Sequence, residues 1–364
     1  MSELTLHRLV GTHTEIGEAY GSSCAELVQE HLDLVLQRFA ALGVARTDVL
    51  AATGEYRGYI EEYAPFLGQE IRGVAAGADI ETEEAYLLQL RAEVNQRLQP
   101  TSDESAECTT FAALSDTTAS GYGLLGQNSD LPPFYERLLV MVHIVPDDGP
   151  EILMLTPAGQ VSYIGINNAG LGVCANFLSC DGWRAGFPRY LLTRLALQHD
   201  SVDGALAGIR GVPRASSRNL LISDGRDRAV DLETTPTADA ALEPRDGLLA
   251  HANHYVADEL SAQEKAGPTL LENSRTRMHR MEKLLAEQSP QLDPVAMAAI
   301  MRDRGTAPHA ISCVAADGVL DDTVTVGSII AEPARQRMWA VRGAPTDGKY
   351  QQFSMTEPGE PAVL

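Results

Sequence analysis

Glu107-Cys108-Thr109-Thr110-Phe111-Ala112-Ala113-Leu114 follows a polar, acidic run, Thr101-Ser102-Asp103-Glu104-Ser105-Ala106, and the change of character at Cys108 decides how the chain is read. From that cysteine a β-type segment begins. A thiol at the opening of a strand, behind a polar loop, is the layout of a chain that cuts itself in front of its own nucleophile. Cutting the Glu107–Cys108 bond would put a free amine and the thiol on one residue. An α-amine ordinarily titrates near ~7.7–8.0 and a thiol near ~8.5, so that amine is a competent general base at neutral pH without a histidine. The hydroxyls of Thr109 and Thr110 are placed to bond a scissile carbonyl or an oxyanion. The competing reading is a buried cysteine at a strand start. Against it, the polar loop predicts that position 108 lies at an edge between solvent and strand.

Upstream of this junction the chain reads mostly as helix. Thr14-Glu15-Ile16-Gly17 leads into a long amphipathic stretch ending near Gly43, with further helices over Val49–Tyr63 and Glu81–Leu98. Downstream, candidate strands are Thr109–Leu114, Gly123–Asn128, Leu138–Val145, Glu151–Thr156, Val161–Ile166 and Gly172–Phe177, separated by turn chemistry such as Asp147-Asp148-Gly149 and Asn167-Asn168-Ala169-Gly170. Helical blocks at Pro188–Gln198 and Val202–Ile209 precede strands at Asn219–Ser223, Ala229–Glu233 and Leu248–Asn253. Helices over Ser274–Glu287 and Pro294–Arg302 then precede final strands at Ala310–Ala316, Thr323–Ala331 and Arg337–Gly343. Runs of strands alternating with runs of helices imply an α+β fold of antiparallel sheets covered by helices on their outer faces.

At 364 residues and 44% hydrophobic residues, the chain can bury a large core. Its 50 acidic and 28 basic residues give a net charge of −22, which argues against nucleic acid or an anionic membrane as the main partner. The cysteines are Cys24, Cys108, Cys174, Cys180 and Cys313, an odd and sparse set that does not make a disulfide framework. Met1–His7 lacks the basic patch and apolar stretch of a signal peptide, and no run reaches 18 apolar residues. These features predict a cytoplasmic protein with no membrane span.

Two further clusters carry chemistry. In Gly126-Gln127-Asn128-Ser129-Asp130, a strand ending in polar residues offers Asp130 either as part of an Asx turn or as acceptor for the amine or a threonine of the site. In His251-Ala252-Asn253-His254, a fixed Asn253 amide can donate to a developing oxyanion or can cap the strand end. The two histidines suggest a metal-dependent hydrolase as a weaker alternative, but an offset of three along a strand puts them on opposite faces, so no metal is expected. Gly121-Tyr122-Gly123-Leu124-Leu125-Gly126 has dinucleotide-loop spacing, but Thr117–Ser120 ahead of it and Asn128–Pro133 behind it supply neither the strand nor the helix that loop needs. No cofactor is expected.

Taken in order, Cys108-Thr109-Thr110, Gly126-Gln127-Asn128-Ser129-Asp130 and His251-Ala252-Asn253-His254 resemble the acyl-CoA:6-aminopenicillanate acyltransferase family, a group of cysteine N-terminal-nucleophile hydrolases. Gly165–Val173 and Asn273–Glu282 are similar to two further family segments, and the likeness runs through most of the chain past residue 100. The resemblance implies a four-layer αββα sandwich made as a precursor that cleaves itself. Residues 1–107 and 108–364 would then associate as two chains of one compact unit, and a homo-oligomer is compatible with this. It implies Cys108 as nucleophile, Asn253 as oxyanion donor, Asp130 as orienting carboxylate and Thr110 as an assisting residue. Substrates would be small amides, acyl thioesters or amines, with acyl-CoA a candidate co-substrate. The chain departs from the family in having Glu107 where the family has Gly, Ser129 where it has Trp, and Asp321-Asp322 at its Ser-Arg pair. That last exchange disfavours an anionic β-lactam carboxylate and favours an amine-bearing substrate. A non-catalytic scaffold of the same fold, serving as a partner subunit in a biosynthetic assembly, is the reading from another class.

Overall fold

The computed structural model describes residues 3–99, 107–318, 323–356 and 363–364, so the acidic run over 101–106 and the Asp321-Asp322 pair lie outside the described residues. The first part comprises β1 (Leu6–Gly11) and helices α1 (His13–Ser23), α2 (Ala25–Ala41), α3 (Arg46–Tyr63), α4 (Pro65–Ala78) and α5 (Thr82–Leu98). Thr12 opens α1 with a capping box that includes Glu15. The single long helix expected from Thr14 to Gly43 is instead two, broken at Cys24, whose backbone (φ −122°, ψ 19°) leaves the helical region.

Past the junction come β2 (Glu107–Ala113), β3 (Leu124–Leu131), α6 (Tyr135–Leu138), β4 (Leu139–Pro146), β5 (Ile152–Pro157), β6 (Ile164–Asn167) and β7 (Gly172–Asn176). Next are α7 (Leu192–Ala196), α8 (Val202–Arg210), β8 (Arg218–Ser223), β9 (Ala229–Thr234), β10 (Asp239–Leu242) and β11 (Leu248–His251). The chain closes with α9 (Pro268–Gln288), α10 (Pro294–Met301), β12 (Val324–Glu332), β13 (Arg337–Arg342) and β14 (Gln351–Ser354). The expected strand over 310–316 is absent: these residues bend and enter a 3₁₀ turn at Ala315–Asp317. The sheet has no edge for them there, because β12 is already paired by β3 on one side and β13 on the other.

The strands form two sheets. One has eight strands in the order β1-β4-β5-β6-β7-β8-β9-β10, the other six in the order β11-β2-β3-β12-β13-β14. Every neighbouring pair is antiparallel except β1 with β4, where Leu6 lies opposite Met141 and Gly11 opposite Pro146.

Alternation along the strands distributes side chains to three separate cores, which define the four layers. Val140, Val142 and Met154 of the eight-stranded sheet pack outward with Val28, Leu67, Ile71 and Leu88 of the first helices. Met141, Leu153 and Leu155 point the other way and meet Leu125, Ile329 and Ala340 of the six-stranded sheet. Phe111, Leu124, Ile330 and Trp339 face outward again, onto Met281, Leu285, Met297 and Ile300 of α9 and α10. The chain is therefore an α+β protein with helices, sheet, sheet and helices stacked in that order.

Polar residues fasten the layers. Gln127 on β3 reaches across the sandwich: its Nε2 donates to the Ala175 carbonyl (3.0 Å) and its Oε1 accepts from the Ala175 N–H (2.8 Å). Its neighbour Asn128 points the opposite way and donates to the carbonyls of Met301 (3.0 Å) and Ile311 (2.8 Å). Gly126, the last glycine of the dinucleotide-like spacing, lies within β3 under the Phe111 ring. A Cβ there would sit 2.4 Å from that ring and 2.5 Å from the Ile329 carbonyl oxygen. Between the first helices and the later chain, Glu70 of α4 accepts from Arg194 of α7 through both oxygens (2.7 and 2.9 Å), and His13 bonds the same carboxylate at 2.8 Å.

Two outcomes follow from this packing. Gly126→Ala is expected to lower stability by about 1–3 kcal/mol through overpacking, read as a lower urea midpoint at unchanged slope. Glu70→Gln is expected to cost on the order of 3–5 kcal/mol, because Arg194 is then a buried charge without its counterion. Burial alone would raise the Glu70 carboxyl, but Arg194 and His13 hold it below the ordinary value. The wild-type contribution is therefore present above the ordinary carboxylate range and lost as pH falls through the depressed value. A pH series of unfolding curves that shows no difference between wild type and Glu70→Gln would contradict this.

Candidate functional site

Strand β2 begins at Glu107, one residue before the thiol, and its central pairing with β3 sets Glu107 opposite Asp130 and Cys108 opposite Ser129. Alternation then separates the side chains. Thr109 and Glu107 project toward α9, whereas Thr110, and with it Cys108, turns to the side where Asn176 at the end of β7 lies. Both Glu107 and Cys108 are 3% exposed, so the junction is not at the solvent edge that the polar run suggested. What buries it is a set of polar partners that the flanking sequence does not advertise.

The chief partner is Arg277, which α9 delivers on a face shared with Met281 and Leu285. Its Nη1 donates to the Cys108 carbonyl (2.7 Å) and to Thr109 Oγ1 (2.8 Å). Its Nη2 donates to Asn253 Oδ1 (3.0 Å) and forms a close ion pair with the Glu107 carboxylate. Asn273, one turn earlier, donates to the same Glu107 carboxylate (2.7 Å) and accepts from Arg277 Nε (3.1 Å). Burial raises the Glu107 carboxyl above its ordinary value, with Arg277 pulling in the opposite direction.

Asn253 meets the nucleophile through its acceptor side. Its Oδ1 accepts from the Cys108 N–H at 2.8 Å, while its Nδ2 donates to the Phe177 carbonyl at 3.0 Å. The Cys108 N–H bonded here is the atom that cleavage would turn into the α-amine. Asn176, which no local sequence signal marks, donates to the Cys108 carbonyl (3.2 Å), and its Oδ1 accepts from Thr110 Oγ1 (3.0 Å) and from Asn219 Nδ2 (3.1 Å). Thr110 thus touches the site through Asn176.

Asp130 accepts from Thr325 Oγ1 at 2.6 Å, a threonine of β12 and not of the Cys108 run. Burial pushes its carboxyl up to about 7, against the pull of Arg277. The Cys108 thiol is raised to about 11, first by burial and then by the nearby Asp130, against the pull of Arg218 and Arg277. In the uncut chain the thiol is therefore protonated at neutral pH. Ser129 is held by Gln127 Nε2 (3.2 Å) and by the Tyr163 hydroxyl.

The two histidines differ in state. β11 ends at His251, so the strand geometry expected through Asn253 does not apply, and the rings lie 6.2 Å apart at an interplanar angle of 20° on the same side. Both nitrogens of His251 face acceptors: Nδ1 the Ala252 carbonyl (2.8 Å) and Nε2 Glu233 (2.8 Å). Burial opposes its charge, but Asp231 and Glu233 outweigh that and raise it to about 9. His254 is lowered to about 3 by burial and by His251, and its Nδ1 bonds Ser274 Oγ at 2.7 Å. Among the described residues no group of three His, Cys, Asp or Glu side chains is placed to hold a metal. Nor is any described helix long and apolar enough to cross a membrane.

Of the residues singled out from sequence, Cys108 and Asn253 meet directly, and Thr110 joins them through Asn176. The Asp130 carboxylate lies across from Glu107, bonded to Thr325. Arg277, Asn273 and Asn176 complete the site. One signal for Arg277 existed: an arginine on the apolar face of a helix, four residues from an asparagine.

A family model described as acyl-coenzyme A:6-aminopenicillanic acid acyl-transferase matches residues 117–347, a span that contains Asp130, Asn253 and Arg277 and begins after Cys108. The chain is 27% identical over 285 residues to the acyl-coenzyme A:6-aminopenicillanic-acid-acyltransferase 40 kDa form of Emericella nidulans, covering 76% of each chain. It is 25% identical over 300 residues to the beta-alanyl-dopamine/carcinine hydrolase of Drosophila melanogaster, covering 74% of this chain and 76% of that one. Among solved structures it is similar to a mutant conjugated bile acid hydrolase from Clostridium perfringens (TM-score 0.46, 13% identity, 70% of this chain and 96% of that one). It is also similar to penicillin V acylase from Agrobacterium tumefaciens (TM-score 0.47, 11% identity, 69% and 87%). The family match takes in more than half of the sequence, and the chain belongs to the acyl-coenzyme A:6-aminopenicillanic acid acyl-transferase family.

Proposed function

We propose that the protein is a cysteine enzyme that cuts its own Glu107–Cys108 bond and then transfers or hydrolyses acyl groups through a Cys108 thioester. The observation that carries this reading is the immobilisation of both sides of one peptide bond. The Glu107 carboxylate is clamped by Arg277 and Asn273, the Cys108 N–H by Asn253, and the Cys108 carbonyl by Arg277 and Asn176. Membership of an acyltransferase family, with one relative named a transferase and another a hydrolase of a β-alanyl amide, supports amides or acyl thioesters as the substrate class.

In this reading the thiol, held protonated in the uncut chain, passes its proton to the departing amine in self-cleavage, and the released α-amine is then its base for turnover. Cys108 Sγ adds to a substrate carbonyl as its proton passes to the α-amine, and the amine or thiol leaving group departs with that proton. Asn253 keeps the amine oriented through Oδ1. Its Nδ2, held by Phe177 in the uncut chain, is the side-chain donor for the oxyanion once substrate takes the place of the cut peptide. Asp130, close to the ordinary working pH in its titration, sets the field at the nucleophile, and Thr110 fixes Asn176. Residues 1–107 and 108–364 remain associated as the two chains of the mature enzyme. Water or an amine then resolves the acyl-enzyme.

Intact-mass measurement is expected to find wild type as fragments of residues 1–107 and 108–364, with Cys108→Ala whole. A wild type that stays whole and turns over no amide or thioester would sink the enzyme reading and favour a non-catalytic scaffold. In enzyme already cut, Asn253→Ala is expected to lower kcat by about 10²–10³-fold. An unchanged kcat would remove Asn253 from the oxyanion role.

A further inference from the structure

The clamp around Glu107 says more than where the chain is cut. Arg277 is buried, and Glu107 is the one carboxylate in ion-pair contact with it among the described residues. Its other bonds, to the Cys108 carbonyl, Thr109, Asn253 and Asn273, do not involve Glu107, so the guanidinium keeps its place when that carboxylate leaves. The adjoining cavity, lined by Asp130, Asn273, Arg277, Pro308 and Cys313 among others, measures only ≈ 10 Å³ with Glu107 in it, room for about one water. Glu107 therefore fills a site shaped and charged for a carboxylate. Among the described residues lining it, Asp130 is the other carboxyl, of the same sign as Glu107, and burial keeps that carboxyl largely protonated below about 7.

Self-cleavage and turnover share one intermediate, and this inference rests on that part of the proposed function. In self-cleavage Cys108 Sγ bonds to the Glu107 carbonyl carbon, the C–N bond breaks, and the thiol proton goes to the departing amine. The product is a thioester whose acyl group is the Glu107 residue itself. Water then adds to that carbonyl and the C–S bond breaks, leaving the Glu107 carboxylic acid and the free thiol. The acyl-enzyme of turnover is the same thioester with a different acyl group. Glu107 is thus the first acyl group the site handles, and in the intact chain its side chain spans the distance from the scissile carbonyl to the guanidinium.

We propose that the clamp formed by Arg277 and Asn273 receives the terminal carboxylate of the substrate's acyl group, making the acyl donor an amide or thioester of glutaryl or α-glutamyl type, with three carbons between carbonyl and carboxylate. Once the Glu107 carboxylate leaves the clamp, Arg277 is a buried charge without its counterion, and an acyl group of this length restores one.

The test compares glutaryl, succinyl and pentanoyl p-nitroanilides on the self-cleaved wild type. Pentanoyl matches glutaryl in length without the charge. The expected kcat/KM for glutaryl exceeds that for pentanoyl by about 10- to 100-fold, the range for a hydrogen-bonded charge, with succinyl intermediate. A second measurement is independent of turnover. Glutarate should bind the uncut Cys108→Ala chain carrying Glu107→Gly, which empties the clamp, and not Cys108→Ala alone. Self-cleaved enzyme that prefers pentanoyl or treats the two alike overturns this inference and leaves the proposed function standing. An uncut, inert wild type overturns the function and the acyl assignment with it. Failure of the emptied clamp to take up glutarate overturns the anion site itself.

Discussion

One buried cation organises the centre of this molecule. Arg277 enters the protein interior from α9 and finds a carboxylate, a backbone carbonyl, a hydroxyl and two carboxamides within reach of its fork of donors. A guanidinium taken out of water is tolerated only when its donors are met in this way. The consequence is that α9, β2 and the segment carrying Asn253 cannot shift independently. Moving any one of them leaves a desolvated donor unmatched. Arginine suits the task because its donors are fixed in one plane, so it sets the relative position of five groups where a lysine would contact one or two.

Carboxamides do the corresponding work between layers. Gln127 and Asn128 are neighbours on β3 and point in opposite directions, one into the opposing sheet and the other under the helices. Asn167 at the end of β6 donates to the carbonyls of Leu197 and His199 while its Oδ1 accepts the N–H groups of Ala169 and Leu171. Each takes up backbone groups that the turns and strand ends would otherwise leave unpaired. The stretches that resembled a family are thus in large part fasteners. Their order along the chain reflects the stacking of layers as much as the chemistry at Cys108.

This accounts for what could be read from sequence. Strands β4, β5, β8, β9 and β12 are buried on both faces and rich in Val, Ile and Leu, so their apolar runs were legible. The short edge strands β1, β10 and β14 were not, because an edge carries half the pairing and little apolar signal. Residues 310–316 looked like a strand from their small and apolar residues, yet they have no free neighbour to pair with. At the site, Cys108, Asp130, Asn253 and Thr110 could be named because polar residues at a strand start or end stand out against the local pattern. Arg277 and Asn176 were harder to see. Their meaning depends on what lies opposite them, some 169 and 68 residues from Cys108 along the chain.

The pairing of β1 with β4 gives the first part of the chain a place inside the eight-stranded sheet, and Val28, Leu67 and Leu88 share one core with Val140 and Met154. Were the backbone severed after residue 107, no layer would come apart, but the reaction order of folding would change. A single chain recovers its sheet by a unimolecular search; two chains must first meet. The melting temperature of the cut form would then depend on its concentration, and dilution would act on it as a mild denaturant. Unfolding of such a cut molecule would be hard to reverse: β1 would depart with the shorter chain, and its return would compete with aggregation of the exposed sheet edge.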